Sequence, residues 1–254
     1  MLILLSPSKS LNLETKIVSK THSIPIFLKD SQILINELQK FSALDLAKLM
    51  KISDRLAELN FERYATFKTP FTMQNSKPAI FIFDGDVYDG IDVENYSEKD
   101  LNFAQNHLRI LSGLYGILKP LDLIQPYRLE MGINLKNPPA KNLYQFWQEK
   151  ITNFLNEELE KSSEKIILNL ASEEYFSAVN SDKIKGQIIN IIFKEKKGDD
   201  YKIIGIFAKK ARGLMADYII KNKIQKAEQV KKFNCSNYKF KKEFSDKNNW
   251  CFCR

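Results

Sequence analysis

Residues 111–132, LSGLYGILKPLDLIQPYRLEMG, hold three of the nine glycines and two of the eight prolines of the chain. The stretch is too apolar for a free loop and too interrupted for one helix or one strand. Pro120 and Pro126 each remove a backbone donor and fix φ, while Gly113, Gly116 and Gly132 permit positive φ or close backbone approach. A long apolar connection stiffened this way is expected to be a buried, shaped loop lining a cleft, with a plain structural crossover as the alternative. Arg128 and Glu130, near its end, form either an anion grip with its orienting partner or a structural ion pair.

The elements around this stretch alternate. Upstream, Ser97 and Asp100 match a capping box that opens a helix to about Asn106. A strand, His107–Leu111, then delivers the chain into the loop, and a lone His107 is expected to be a satisfied structural residue. Downstream, residues 142–160 place Leu143, Phe146, Trp147, Ile151, Phe154, Leu155 and Leu159 on one helical face. Lys165–Leu170 is the next strand, and Ala171-Ser172-Glu173-Glu174-Tyr175 at its end opens a helix. Gln187–Phe193 and Tyr201–Phe207 are expected as strands of a hairpin around the charged turn 194–200. At the N-terminus, residues 1–5 form a continuous apolar run, a buried strand ended by Ser6-Pro7. Residues 11–25 are polar and irregular, with His22 at the surface, and a helix spans about 27–41. The pattern is that of a compact mixed α/β fold, with 1–254 as a single domain.

Several element ends carry chemistry. Ser6, Ser8, Lys9 and Ser10 lie just beyond the C-terminal end of the first strand, where open α/β sheets bind ligands; three hydroxyls and an ammonium suit an anion, or serve a polar turn. Lys77-Pro78 leads to a buried strand, Ala79–Phe83, ending in GDVYDG, where the acidic residues are a turn or a weak Mg²⁺ site. Ala208-Lys209-Lys210-Ala211-Arg212-Gly213 opens a helix whose core stripe is Ala211, Leu214, Met215, Tyr218 and Ile219. Gly213 then falls on the polar face, at a cost of about 1 kcal/mol relative to alanine unless something approaches its backbone. A cationic helix start after a strand is a phosphate site or a solvated helix face.

Between Leu46 and Ala57 two helices meet at a tight turn, Met50–Ser53. Ser42 caps the first, over 43–50, and Ser53 the second, which runs to about Phe67. The pattern L-x-x-L-x-x-I-S-x-x-x-A resembles the helix-hairpin-helix of DNA-binding proteins, an element spanning about 43–67 here. In that motif backbone N–H groups at a helix start hold a phosphate. Lys51 and Ser53 stand where hairpin glycines are usual; Lys51 offers charge and Ser53 a hydroxyl in compensation, with Arg55 in the next turn. An ordinary helical corner is the alternative.

Charge is unevenly distributed. The chain carries a net +8, but residues 194–242 hold 15 Lys/Arg against 5 Asp/Glu. Such asymmetry points to a polyanionic partner, nucleic acid first, or to a lysine-rich solvated surface. With 254 residues and 44% hydrophobic content a sizeable core is expected, and widespread disorder is not. No run reaches the roughly 18 apolar residues of a membrane span. The absence of an export signal implies the cytoplasm. Three cysteines, Cys235, Cys251 and Cys253, crowd the C-terminus without a C-x-x-C pair, so no disulfide framework, cofactor or metal site is expected. Two histidines make a poor iron site.

The motifs MLILLSPSKSL, GDVYDG, LRILSGLYGILKPLDLIQPYRLEMG, LYQFW, NLASEEYF and FAKKARGLMADYII together resemble the YaaA peroxide-stress-resistance family of bacterial cytoplasmic proteins. Only the last dozen residues lack a recognisable counterpart. The resemblance implies a compact mixed α/β protein with a helix-hairpin-helix and a positively charged cleft. It implies binding of double-stranded and branched DNA, a role in limiting free iron and oxidative DNA damage, and no established reaction. The hairpin falls on Leu46–Ala57. Physical inference from this sequence adds Lys9, Arg128, Lys209, Lys210 and Arg212 to Lys51, Ser53 and Arg55 as the nucleic-acid contacts of a monomeric protein. The competing expectation is an enzyme acting on a phosphorylated or nucleic-acid substrate, with Lys9, Arg128 and Glu130 as the candidate catalytic groups. Direct iron sequestration is disfavoured, so an iron effect is expected to be indirect.

Overall fold

The computed structural model describes residues 1–254. In chain order the principal elements are β1 (Leu2–Leu5), α1 (Leu28–Leu38), α2 (Ala43–Met50), α3 (Asp54–Ala65), α4 (Glu98–His107), β2 (Leu108–Ser112) and β3 (Gly116–Leu118). They continue with α5 (Leu143–Glu160), β4 (Ile166–Asn169), β5 (Gln187–Lys197), β6 (Asp200–Lys202), α6 (Gly205–Lys221), β7 (Lys239–Phe240) and β8 (Asn249–Cys253). The strands form one mixed sheet in the order β7-β8-β5-β4-β1-β2-β3, with β6 added to β5. β1 lies parallel to both β2 and β4, and β5 parallel to both β4 and β8. β1 is buried along its whole length, which is why it reads as an unbroken apolar run and not an alternation. Seventy buried residues form one continuous hydrophobic cluster.

Topology fixes where a ligand would sit. The chain leaves β1 for β2 on one side and returns to β4 on the other, so the order reverses at β1. The carboxyl end of that strand is the switch point at which open α/β sheets bind ligands.

Local signals predict most helices well. Ser42 and Asp45 form a reciprocal capping box on α2, and Ser97 and Asp100 form another on α4. α5 buries Leu143, Trp147, Ile151, Phe154, Leu155 and Leu159, with Phe146 at the edge of the face. Residues 111–132 are buried almost throughout, as expected. They also contain β3 and a two-residue strand, Leu123–Ile124, which pairs with Lys77–Pro78.

Four expectations are corrected. Ala79–Ile82 is a short buried helix and not a strand. The Ala79 and Ile80 amides donate to Asp122 O (2.9 Å) and Pro120 O (3.0 Å), so the 111–132 segment takes over their pairing; a short apolar run has no period to separate the two states. The hairpin after β5 is real, but its second strand stops at Lys202, and Gly205–Phe207 form the first turn of α6. The helical pattern that follows extends backwards through this apolar run. Lys209, Lys210 and Arg212 therefore sit in the second turn of α6 and not at its start. Gly213 is buried and not on a polar face: a Cβ there would lie 1.7 Å from Val87 O. α6 packs on the GDVYDG loop as well as on the sheet, and protein backbone explains the glycine. Finally, His107 ends α4 instead of opening a strand. Its Nδ1 lies 2.9 Å from Met1 O, and its ring packs on Phe103.

Candidate functional site

The carboxyl end of β1 is tied to three other loops. Ser6 Oγ accepts from the Ser172 amide (2.8 Å), just beyond β4. Tyr88 OH donates to Ser6 O (3.0 Å), and Ser8 Oγ donates to Asp84 O, fastening the GDVYDG loop. On the far side runs the end of the 111–132 segment. It folds back on its own start, just after β2, so closely that a Cβ on Gly113 would meet Leu129 O at 2.1 Å, and it reaches the β1 end through Glu130, 3.3 Å from Lys9 Nζ. Ser112 Oγ and Tyr127 OH share a hydrogen bond of 2.7 Å, and Tyr64 OH from α3 donates to Arg128 O. Gly132 N donates to Glu174 Oε1 at 3.2 Å. The segment is thus clamped from β2, α3 and the Ser172–Phe176 turn.

Between Pro7–Lys9 on one side and Tyr127–Glu130 on the other lies a narrow crevice with a cavity volume of only about 10 Å³, with Tyr175 contributing to its lining. Glu130 is its centre. Its Oε1 accepts from Arg128 Nη2 at 2.8 Å and lies 3.3 Å from Lys9 Nζ. Its side chain is only 9% exposed, whereas that of Lys9 is 60% exposed at the mouth. Glu130 Oε2 and Arg128 Nε are buried without hydrogen-bond partners. A buried carboxylate oxygen left unpaired costs about 1–3 kcal/mol or more. Burial pushes the phenols of Tyr127 and Tyr175 well above the usual tyrosine range, so both stay neutral.

Of the residues predicted from sequence, Lys9, Arg128 and Glu130 come together here. Lys209 does not line the crevice. It pairs with Asp86 (3.3 Å) on the GDVYDG loop, the loop that also holds Ser8. Lys210 is exposed and Arg212 half-buried on the same helix, neither in an ion pair; burial lowers the Arg212 pKa. Lys51, Ser53 and Arg55 lie apart, at the α2–α3 turn. α3 links them to the crevice. Its first turn follows Ser53, and Tyr64 near its other end grips Arg128, roughly 15 Å further along at 1.5 Å per residue.

At the turn itself, Lys51 adopts the left-handed conformation (φ 52°, ψ 52°) that glycine takes most readily. Ser42, Ser97 and Asn142 cap their helices through the side chain, but Ser53 makes no such bond. The first amides of α3 are left to solvent, between exposed Lys51 and exposed Arg55. Tyr127, Tyr175 and Tyr64 escaped the sequence reading as site residues. Each stands beside a motif that was noticed, but an aromatic ring at an element end gives no sign of what it faces.

Cys251 and Cys253 lie inside β8, with Sγ atoms 3.7 Å apart, and burial pushes the Cys253 thiol up to about 12. No group of three or more potential His/Cys/Asp/Glu ligands is assembled anywhere. No helix is long and apolar enough to cross a membrane.

A family model described as "Peroxide stress protein YaaA" matches residues 1–244. The chain belongs to this family. Its relatives in the family include a UPF0246 protein of Dechloromonas aromatica, 50% identical over 254 residues, covering 100% of this chain and 99% of that protein. Another, from Colwellia psychrerythraea, is 48% identical with the same coverage, and a third, from Ralstonia nicotianae, is 50% identical with the same coverage. The alignment with these relatives runs through the last dozen residues, correcting the expectation that the C-terminus has no counterpart. β8 explains why: those residues are an integral strand of the sheet. Membership supports a role in oxidative stress and a mixed α/β fold.

Proposed function

We propose that this protein binds DNA during the response to hydroperoxide stress, using the α2–α3 corner as a helix-hairpin-helix and the cations beside the β1 crevice as a basic cleft. The observation that carries the reading is the corner. Lys51 takes the left-handed conformation that a hairpin glycine would supply, and the first amides of α3 stay open beside Lys51, Ser53 and Arg55. Open amides at a helix start are an anion site. Lys9, Arg128, Lys209, Lys210 and Arg212 supply further contacts, and the excess of 15 Lys/Arg over 5 Asp/Glu in residues 194–242 gives the long-range attraction. In this reading the chain works as one cytoplasmic domain and a monomer, on double-stranded and branched DNA. Its effect on free iron is indirect and does not run through a metal site of its own.

Fluorescence anisotropy with a labelled duplex, from low to moderate salt, tests this. Log affinity should fall linearly with log salt, and Lys51→Ala with Arg55→Ala should reduce the slope by about 1.8, at about 0.9 per phosphate contact. Affinity independent of salt, or a double variant with an unchanged slope, refutes the assignment.

The orphaned Glu130 Oε2 and Arg128 Nε favour a second reading, in which the crevice belongs to an enzyme acting on a nucleic-acid or phosphorylated substrate. Turnover of damaged or abasic DNA that disappears in Lys9→Ala would support it; equal inactivity of both proteins removes its support.

A further inference from the structure

Large apolar side chains stand in solvent where β6 passes into α6. Ile203, Ile206 and Phe207 are 61%, 59% and 43% exposed. Single exposed apolar residues are ordinary, but three large ones within five positions form a patch. The patch is one helical turn deep. Lys209 and Lys210 follow Ile206 at i+3 and i+4, and Lys210 follows Phe207 at i+3, so both cations lie directly behind the apolar tip. Lys209 is paired with Asp86, whereas Lys210 is in no ion pair. Arg254 stacks on the Phe207 ring at 5.0 Å. From Lys202 to Ala216 the chain carries no carboxylate.

An apolar tip backed by cations selects among partners. A stable protein interface takes about 800 Å² from each side, more than three partly exposed side chains supply. A helix that lies on a bilayer runs its apolar face along its length, whereas the outward face of α6 turns to lysine after one turn. DNA offers apolar base faces with phosphates just outside them, in the order in which α6 presents its own groups. We propose that Ile206 and Phe207 form a wedge that enters a DNA base stack where the stack is already interrupted, as at a nick, while Lys210 holds a flanking phosphate. Isoleucine and phenylalanine are among the side chains that proteins insert between base steps, and the unstacking this requires is smallest where stacking is already broken. The strand can come close: a Cβ on Gly205 would meet nothing within 4 Å. The wedge rests on the DNA-binding reading above and adds what that reading lacks. The α2–α3 corner and the cations hold phosphates, which are alike in intact and broken duplex; only the apolar tip senses stacking.

Fluorescence anisotropy with the full chain tests this on two duplexes of one sequence and equal phosphate number, one intact and one nicked at its centre. Burial of one large apolar side chain sets the scale, so the nicked duplex should bind about tenfold more tightly. A fluorescent adenine analogue beside the nick should brighten on binding, because it loses a stacking neighbour. Ile206→Ser with Phe207→Ser should remove the preference and silence the analogue. Circular dichroism checks that this variant folds, and the response of the analogue to the parent protein needs no variant. Equal affinity for the two duplexes with a silent analogue overturns the wedge, and leaves the DNA reading standing if binding still weakens with salt. A preference for the nick that survives in the double variant also overturns it. Absence of binding to either duplex removes the wedge together with the DNA reading. Sedimentation with phosphatidylglycerol vesicles, lost in the variant and with the analogue silent, would reassign the patch to a bilayer and overturn the wedge. A concentration-dependent dimer lost in the variant, again with a silent analogue, would overturn it in favour of a second copy of this chain.

Discussion

Gly213→Ala separates two pictures of α6 by sign. If the helix were a solvated basic rod, replacing an interior glycine with alanine would stabilise the protein by about 1 kcal/mol. The structure gives the opposite. A Cβ on Gly213 would stand 1.7 Å from Val87 O, 2.9 Å from Val87 C and 3.1 Å from Gly90 Cα. Gly90 faces it with equal intimacy, its own Cβ position lying 2.5 Å from Leu214 N and 2.6 Å from Lys210 O. These are backbone atoms, so no side chain can swing away, and the helix or the GDVYDG loop must shift bodily. Overpacking of this kind costs typically about 1–3 kcal/mol, and a backbone clash belongs at the upper end. Subtracting the propensity gain leaves a net loss of about 2 kcal/mol. For a domain of this size that is a fall in Tm of about 4–8 °C. Urea unfolding followed by circular dichroism should show a lower midpoint at unchanged slope. A midpoint equal to or above that of the parent would refute the docking of α6 on the loop. The placement of Asp86 beside Lys209 would fall with it.

Three other perturbations probe separate parts of the fold. Lys51→Gly relieves a left-handed non-glycine residue and should raise stability by about 1 kcal/mol, while removing one cation and flattening the salt dependence of DNA binding by about 0.9. Burial lowers the His107 pKa below its ordinary 6.5, outweighing the favourable bond to Met1 O. The unfolded chain therefore binds the proton first, and stability should decline as pH drops from 6.5 through the lower folded value. His107→Gln should flatten this part of the pH profile of the urea midpoint, and an unchanged profile would exclude His107 as its source. Arg109 is 1% exposed, ion-paired with Glu158 and bonded to the Gln105 and Leu108 carbonyls, so Arg109→Ala, which empties a buried site and leaves Glu158 to Lys161 alone, should cost about 3 kcal/mol in the same assay. A loss under 1 kcal/mol would mean that the pair is solvated.

Local chemistry made much of this protein legible. Ser42 with Asp45 and Ser97 with Asp100 announce their helices within four residues, because a capping box is a contact between near neighbours. The α5 face follows from its period, and β1 from an apolar run too short for a helix of its own. The crevice was partly visible, since Lys9, Arg128 and Glu130 all lie at element ends in the sequence. Their meeting was not. Lys9 and Glu130 are separated by the β1–β2 crossover and the β2–β3 hairpin, and only the parallel pairing of β1 with β2 brings their loops face to face.

What the sequence determined by itself is therefore most of the longer helices, the first strand, the family, and the concentration of positive charge in residues 194–242. Each depends on neighbours along the chain or on composition. The tertiary structure alone decided that Ala79–Ile82 coils instead of pairing, that Gly213 meets Val87 backbone, and that Lys209 answers Asp86 while Lys9 answers Glu130. A buried apolar run, a glycine and an exposed lysine each admit several environments of similar local energy. The choice among them is made by whichever distant backbone or carboxylate the packed sheet delivers.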